Sequence, residues 1–594
     1  MSVFFKSVKI YCITLVTSLK TSLKASVAIT IIRILFMAIS AFIPAINLLT
    51  IRKITDALIV TDTNRCLYWF FLLGIVQIFN AVISKIINYF TIIHSEQISF
   101  IISNDIINKI NKLDISYFDD PKLYNETINV TRDVNSISQL VWNLLSVIQI
   151  TIQFFTAFVI FFNYIWWAPF IIVLSCLPNF IFDRNYALKL YNWNRGTINE
   201  VRKMNYTYDT LISKYFSKDI RINRVKDNLH ARYKMQWLNW FTSKRKILSK
   251  QFTASFLTMF LPNIITIFFA GYVIYNISKG DNTVGDFTYY LGIMGQITTT
   301  TFGIIAAISE LIQQRIKVEY YYKFMDWKPL VYENPVPINI KEFKSLQFKN
   351  VSFKYPNTEE YVLKGISFTI NKGDKIGIVG KNGCGKSTIV KLLLRLYDVK
   401  EGEILLNGIN ITEFDFQDYY NIFSTMLQDY INYSFSLKDN VILADINRAE
   451  HKDEDIIKAC VQSDSYSFVK NWEDGIYSYL TKSFDEHGKE LSGGQWQKLA
   501  LSRFFYKKAQ FYILDEPSAS LDIESEHIIF QSVFDKLNKN TLLLISHRLS
   551  NLKMMDKIIV LDNGIIAETG SHEELINKNG IYRYLYSMQY EKYC

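Results

Sequence analysis

Long apolar stretches dominate the first half of the chain, whereas short apolar runs broken by Gly, Asn and Asp fill the second. A membrane-spanning helix needs roughly 20 mostly apolar residues at about 1.5 Å rise each. The pattern predicts six, over Ser26 to Leu49, Leu67 to Phe90, Leu140 to Phe162, Trp166 to Phe182, Phe252 to Ile277 and Val284 to Ile308. None carries the polar face of a surface helix, which argues against six buried helices of a soluble protein. The third-to-fourth and fifth-to-sixth connections are very short (Asn163 to Ile165, Ser278 to Thr283), and the second-to-third and fourth-to-fifth are long. Residues 1–25 carry Lys6 and Lys9 ahead of an apolar stretch, then Lys20 and Lys24, with no convincing cleavage site. An interfacial helix leading into the first span is expected there.

Charge assigns a side to these spans. The chain carries a net +10, which by itself invites a nucleic-acid reading. From Lys344 onward, however, 30 Lys and Arg face 34 Asp and Glu, so the whole surplus lies in the membrane half. Asp183 to Lys250 alone holds 16 Lys and Arg against 5 Asp and Glu. That excess places the long connections, and with them both chain ends, on the cytoplasmic side. The first-to-second connection tests the rule only weakly. Apolar residues at 49% and charged residues at 20% exclude a disordered chain. The six cysteines are scattered without a CxxC pair, which excludes a disulfide scaffold or a zinc site.

Polar residues within the apolar runs offer two readings. Arg33, Lys85 and Glu310 fall near the inner leaflet, where snorkelling competes with lining a wet cavity. Gln296 and Thr298 to Thr301 fall near mid-membrane, where hydroxyl bonds to backbone carbonyls compete with a substrate-facing wall.

The chemistry lies in the second half, which alternates strand and helix patterns like a cytosolic α/β domain. An apolar strand, Lys375 to Val379, runs into Gly380, Lys381, Asn382, Gly383, Cys384, Gly385, Lys386, Ser387 and Thr388, then into an apolar helix. This is a phosphate-binding loop in its required setting. Its glycines let backbone N–H groups wrap phosphates, Lys386 adds a point charge, and Ser387 offers a magnesium ligand. Cys384 beside Lys386 is either a thiol of lowered pKa or an inert loop residue. Phe511 to Asp515 is a buried-strand pattern ending in an acid, with Glu516 next. Asp515 can hold the magnesium shell and Glu516 can polarise the attacking water. Leu491, Ser492, Gly493, Gly494 and Gln495 open a further helix suited to a γ-phosphate.

With these motifs in order, the chain resembles an ABC transporter of the half-transporter exporter type: a six-helix transmembrane domain followed by an α/β P-loop NTPase domain that binds ATP with Mg2+. The resemblance implies that Tyr355 stacks on adenine, Gln428 senses magnesium as a third ligand beside Ser387 and Asp515, and His547 acts as the switch histidine alongside catalytic Glu516. Asp522 matches the end of an inter-subunit loop, although the preceding order of small residues departs from the commonest form. It also implies that the signature segment 491–495 serves the phosphate site of a second half-transporter. That second chain is expected to be identical, with a heterodimer as the alternative. Coupling helices are expected around Tyr117 to Asn129 and Tyr215 to Asn228.

The expected division is residues 1–25 interfacial, 26–327 transmembrane, 328–343 linker and 344–594 ATP-binding, in a multi-pass cell-membrane protein surrounded by lipid. Asp485 to Glu490, Trp496 to Lys498 and Leu427 to Asp429 are similar to bacterial peptide and lantibiotic exporters. A leading peptidase domain would not fit before the first span. A lipid or hydrophobic-drug exporter shares the architecture, and a membrane-bound ATPase that senses without moving cargo is a third reading. A nucleic-acid partner is not expected.

Overall fold

A computed structural model of the protein describes residue 16 and residues 19–132, 135–332, 334–356, 358–517, 522–537 and 540–590. Most of the expected interfacial segment, and Ser518 to Leu521 ahead of Asp522, lie outside the described residues. The chain forms two compact units. One holds the residues up to Asn111 together with Asn125–Trp327; the other holds Lys112–Tyr124 together with the chain from Lys328 onward.

The first unit is helical. In chain order the described helices up to Met325 are α1 (Val27–Ile59), α2 (Thr63–Ile110), α3 (Ser116–Asp119), α4 (Pro121–Arg132), α5 (Asn135–Tyr164), α6 (Ala168–Gly196), α7 (Ile198–Ile212), α8 (Ser217–Ile222), α9 (Lys226–Ser278) and α10 (Val284–Met325), of which α3 and the start of α4 belong to the second unit. Ser26 caps α1, its hydroxyl accepting from the Ile29 N–H at 3.4 Å, and Thr283 with Asp286 closes a capping box on α10. Among the described residues, five helices are long and apolar enough to cross a membrane: α1, α2, α5, α9 and α10. The fourth expected span falls on the first half of α6, whose apolar run is interrupted by Asn179 and ends at Asp183 and Arg184. That half is less uniformly apolar than the other five and packs on α9 and α10.

The polar stretch 183–250, expected as a connection between spans, is helical over most of its length. It forms the rest of α6, α7, α8 and the first half of α9. At about 1.5 Å per residue, α2, α9 and α10 run roughly 60–80 Å, about twice the hydrocarbon thickness. Aromatic and hydrogen-bonded contacts staple the extensions together. Trp193 lies 5.6 Å from Trp240 and Tyr208 5.8 Å from Tyr233. The Trp193 indole donates to Ser243 at 2.8 Å, and the Thr207 hydroxyl to Gln236 at 3.2 Å.

Polar groups inside this unit settle into local partnerships. The hydroxyls of Thr298, Thr299, Thr300 and Thr301 all donate to carbonyls three or four residues back, at 2.6–3.2 Å. Lys85 and Glu310 are exposed. Arg33 is not, at 3% exposure. Its guanidinium carbon sits 3.3 Å from the centroid of the Trp142 ring, beside His94, whose ring is 4.9 Å from that tryptophan. Arg33 therefore ties α1 to α5 through a cation–π contact while its Nε and Nη1 hydrogens lack acceptors among the described residues.

The second unit is built on two sheets: a four-stranded antiparallel sheet ordered β2-β1-β4-β5 and a six-stranded sheet ordered β10-β9-β3-β8-β7-β6. Its strands are β1 (Ser345–Phe353), β2 (Leu363–Asn371), β3 (Lys375–Gly380), β4 (Glu401–Leu406), β5 (Ile409–Asn410), β6 (Phe423–Met426), β7 (Phe511–Asp515), β8 (Thr541–Ile545), β9 (Lys557–Asp562) and β10 (Ile565–Gly570). In the larger sheet only β10 runs antiparallel. Continuous apolar strands such as Phe511–Asp515 and Thr541–Ile545 are wholly buried because both faces are covered. Residues 328–343, expected as a linker, are strapped onto this unit. Tyr332 N–H donates to Asp398 at 2.8 Å, Asn334 to Glu413 at 2.7 Å, and Phe343 is fully buried.

Removing the ring beneath a buried cation costs more than replacing the cation itself. We expect Trp142→Ala to lower stability by roughly 3–5 kcal/mol, seen as a large drop in apparent Tm in detergent, and Arg33→Met to leave that midpoint nearly unchanged.

Candidate functional site

Parallel pairing brings the chemistry together. Strands β3, β8, β7 and β6 are neighbours and point the same way, so the segments leaving their C-terminal ends open on one edge. Those segments carry the 380–388 loop after β3, His547 after β8, Glu516 after β7 and Gln428 after β6.

The loop after β3 turns into α11 (Lys386–Leu393) through Gly385, at φ 104°. A Cβ at Gly385 would come within 2.6 Å of the Leu363 side chain, and one at Gly380 within 2.3 Å of the Leu561 carbonyl. Only glycine fits either position. Lys386 is buried, and its ammonium donates to the carbonyls of Gly380 at 2.9 Å and Lys381 at 3.1 Å. The cation is thus held over the loop. Cys384 is also buried, and burial raises its thiol pKa more than neighbouring Lys386 lowers it. The inert reading of that thiol is the one that fits.

Asp515 ends β7 at 3% exposure. Burial pushes its carboxyl up to about 6, against the lowering effect of the Ser387 hydroxyl bonded to it, with the Glu516 charge adding to the rise. One carboxylate oxygen, Oδ1, is buried without a donor among the described residues. A buried oxygen lacking a partner beside a serine hydroxyl fits a hard cation such as Mg2+. Among the described residues no three His, Cys, Asp or Glu side chains converge as a metal cage, so phosphate oxygens would have to complete the shell. Gln428 is exposed in the turn after β6, free to add its amide oxygen.

Glu516 adopts a left-handed backbone at φ 53°, a conformation that costs a non-glycine residue of order 1–3 kcal/mol and is kept where surroundings enforce it. Its N–H donates to the Ile545 carbonyl at 2.9 Å, which locks that turn against β8. The carboxylate Oε1 then lies 2.8 Å from His547 Nε2. The strain thus holds an acid and an imidazole together at the phosphate edge. Tyr355, expected to stack on adenine, shares a 3.1 Å hydrogen bond with the Thr388 hydroxyl, which seats it on α11.

The signature segment is placed elsewhere. Ser492 caps α16, reached after α12 (Phe416–Asn421), α13 (Leu437–Ile442), α14 (Asp453–Gln462) and α15 (Tyr466–Val469), with α16 itself running Gly493–Tyr506. Ser492 N–H donates to Gln495 Oε1 at 2.9 Å, and Gln495 N–H to the Ser492 hydroxyl at 3.3 Å. Ser492 and Gly493 are exposed. No hydrogen bond or ion pair among the described residues joins 491–495 to 380–388. The helix is nonetheless locked to the turn that carries Glu516, because Gln497 donates to the Pro517 carbonyl at 2.8 Å. Asp522 caps α17 (Ile523–Lys536), accepting from Ser525 N–H and hydroxyl at 2.8 Å each, and those bonds hold its carboxyl below the usual range.

One set of contacts escaped sequence reasoning. The segment 112–124, between the second and third spans, belongs to the ATP-binding unit. Asp114 accepts from the N–H groups of Leu330 and Val331, Tyr117 donates to the Lys328 carbonyl at 2.7 Å, and Tyr397 donates to Asp119. Tyr397 also packs edge-on against Tyr355, 5.4 Å between ring centres. No local motif marks Tyr397, and its partner lies far away in sequence. Tyr117 lies in the first expected coupling segment. The second, around α8, leaves Tyr215 and Ile222 strongly exposed.

Comparison with known proteins gives the family. Residues 363–519 match the family model for the ABC transporter ATP-binding region, described as ABC transporter, and residues 30–195 match the ABC transporter transmembrane region. Over 95% of its length the chain is 28% identical to the subtilin transport ATP-binding protein SpaT of Bacillus subtilis, covering 91% of that protein. It is 26% identical over 98% of its length to the nisin transport ATP-binding protein NisT of Lactococcus lactis, covering 97%. A solved structure of a bacterial Atm1-family ABC exporter with ATP bound superposes with TM-score 0.80 at 21% identity, covering 95% of this chain and 98% of that one, which establishes a shared fold.

The charge of Lys386 predicts that Lys386→Ala weakens nucleotide affinity by about 10–100-fold, measured by titration with a fluorescent ATP analogue. An unchanged affinity would remove Lys386 from the phosphate site.

Proposed function

Because the chain belongs to the ABC transporters, with a membrane domain fused to an ATP-binding domain that hydrolyses ATP, we propose that it exports a peptide of the lantibiotic type. The observation that carries this reading is similarity along nearly the whole chain to two lantibiotic transporters. Membrane-domain residues, where cargo is chosen, fall within that similarity.

The working unit in this proposal is a pair of identical chains. Each chain supplies one phosphate loop and one signature segment, and Ser492 stands exposed at the start of α16 rather than bonded to its own loop. A second copy placed head to tail would aim that helix start at the γ-phosphate. The exposed Tyr215 and Ile222 around α8 suit docking on the second copy's ATP-binding unit. In this proposal the ATP-binding units face the cytoplasm, a reading supported by the 16 Lys and Arg against 5 Asp and Glu in 183–250.

At each site Lys386 and the N–H groups of the 380–388 loop bind the phosphates, and Tyr355 seats the base. Ser387, Gln428 and Asp515 would hold Mg2+, which would neutralise phosphate charge there. Glu516 accepts a proton from the attacking water, and His547 holds that carboxylate in place through the 2.8 Å contact. Export follows only when nucleotide and peptide favour different members of two conformations.

Glu516→Gln should keep ATP affinity within about threefold and lower hydrolysis by at least about a hundredfold; undiminished turnover removes Glu516 from its role. In lipid nanodiscs, ATPase stimulation by a lantibiotic precursor, and not by lipids or hydrophobic drugs, is expected. The reverse selectivity would overturn the peptide reading. Cys384 is buried, so the dimer is better tested with exposed Asn382→Cys and Ser492→Cys in a chain otherwise free of cysteine. A disulfide between two chains under trapped ATP is expected, and only intrachain products would sink the head-to-tail pair.

A further inference from the structure

The last described helix, α19 (Ile581–Tyr590), which follows α18 (His572–Asn577), is tied down at both ends. At its start the Glu568 carboxylate, from β10, accepts from the N–H groups of Ile581 at 2.6 Å and Tyr582 at 3.1 Å. Tyr582 is fully buried, and its hydroxyl shares a 2.8 Å hydrogen bond with His572 Nδ1. Near its far end Gln589 meets the turn after β8. The Gln589 amide donates through Nε2 to the His547 carbonyl and accepts through Oε1 from the Leu549 N–H at 3.0 Å.

One side-chain amide therefore grips the backbone on both sides of Arg548, as a neighbouring strand would. Other groups brace the same turn. Arg548 pairs with Glu526, Asn551 donates to Glu526 at 2.7 Å, and the Ser546 hydroxyl bonds both the carbonyl and the N–H of Arg548 at 3.1 and 3.0 Å. The His547 side chain is the part left loose, 42% exposed, and among the described residues Glu516 at 2.8 Å alone directs it. Its usefulness depends on where the backbone beneath it stands. A displacement of about 1 Å in a catalytic group can cost two orders of magnitude in rate, and Gln589 is the bond that fixes the His547 carbonyl.

We propose that Gln589 is a positioning residue for ATP hydrolysis: its amide holds the His547 turn so that the imidazole reaches Glu516 and the phosphate edge. The proposal rests on the role given to His547 above. It makes α19 part of the hydrolytic apparatus, acting through the His547 backbone.

The test is a double-mutant cycle on the full-length transporter in nanodiscs, with His547→Ala, Gln589→Met and the combination, each read for kcat, KM for ATP and Tm. Methionine keeps the length of the side chain and removes both hydrogen bonds. The expected result is a kcat loss of about tenfold for Gln589→Met, KM within about twofold, Tm little changed, and no further loss when His547 is already alanine. Gln589→Glu keeps the acceptor for Leu549 and loses the donor to His547, so it should also lower kcat; it serves if the methionine variant folds poorly. Met588→Ala, on an exposed neighbouring position, should leave turnover unchanged. An unaltered kcat in both Gln589 variants, or a loss that multiplies undiminished in the His547→Ala background, would overturn the proposal. Should His547→Ala itself leave kcat intact, the role of His547 fails first, and that result is distinguishable from a failure of Gln589 alone.

Discussion

Parallel pairing of β6, β7, β8 and β3 is the constraint on which the ATP-binding unit depends. Strands that run the same way must end on the same edge, and their connecting segments must leave from it. A phosphate loop, an acid pair, a histidine and a glutamine that are far apart in sequence therefore arrive within one row. The apolar strands hold that edge rigid: β7 and β8 are buried along every residue. Stability stored in that sheet makes it possible to keep Glu516 in a left-handed backbone and Asp515 with a buried oxygen lacking a donor. Both are local losses that a less firmly packed segment would relax.

The same sheet explains why the candidate site residues were readable and their supports were not. A phosphate loop must place its glycines, lysine and serine within nine consecutive residues, so Gly380 to Thr388 declares itself. Asp515 and Glu516 follow a recognisable strand, and Ser492 opens a helix with its own capping box. Gln589, Tyr397 and Asp119 obey no such spacing. Each acts through a partner brought near only by tertiary folding: His547 for Gln589, and Asp119, some 280 residues away, for Tyr397. A single glutamine or tyrosine in a sequence carries no mark of what it will meet.

In the membrane half, hydropathy located the spans because lipid demands about 20 apolar residues for each. It could not say what the polar stretches between them do. Residues 183–250 carry charge suited to solvent and look like a loop by composition, yet Lys, Arg, Glu and Gln are also good helix formers. Once two such helices meet, Trp193 against Trp240 and Tyr208 against Tyr233 make the extension stable. Arg33 illustrates the opposite case. Its position near the inner leaflet favours snorkelling, and the face of Trp142 offers a nearer partner than water. Which of the two an arginine takes depends on a residue in another helix.

A transporter must convert the state of its nucleotide into a change in its membrane segments, and the ATP-binding unit holds a short physical route for this. Tyr355, seated on α11 by Thr388, packs against Tyr397, whose hydroxyl bonds Asp119 in the segment leading from the second span to the third. Two contacts separate the aromatic beside the phosphate loop from a residue contributed by the membrane half of the sequence. Contiguity alone does no work: a route transmits only if nucleotide favours one of two arrangements of it. Tyr397 is suited to that discrimination because burial and its bond to Asp119 both raise the pKa of its phenol. The hydroxyl therefore stays a donor at physiological pH, and the bond to Asp119 responds to movement of the segment rather than to titration of the phenol.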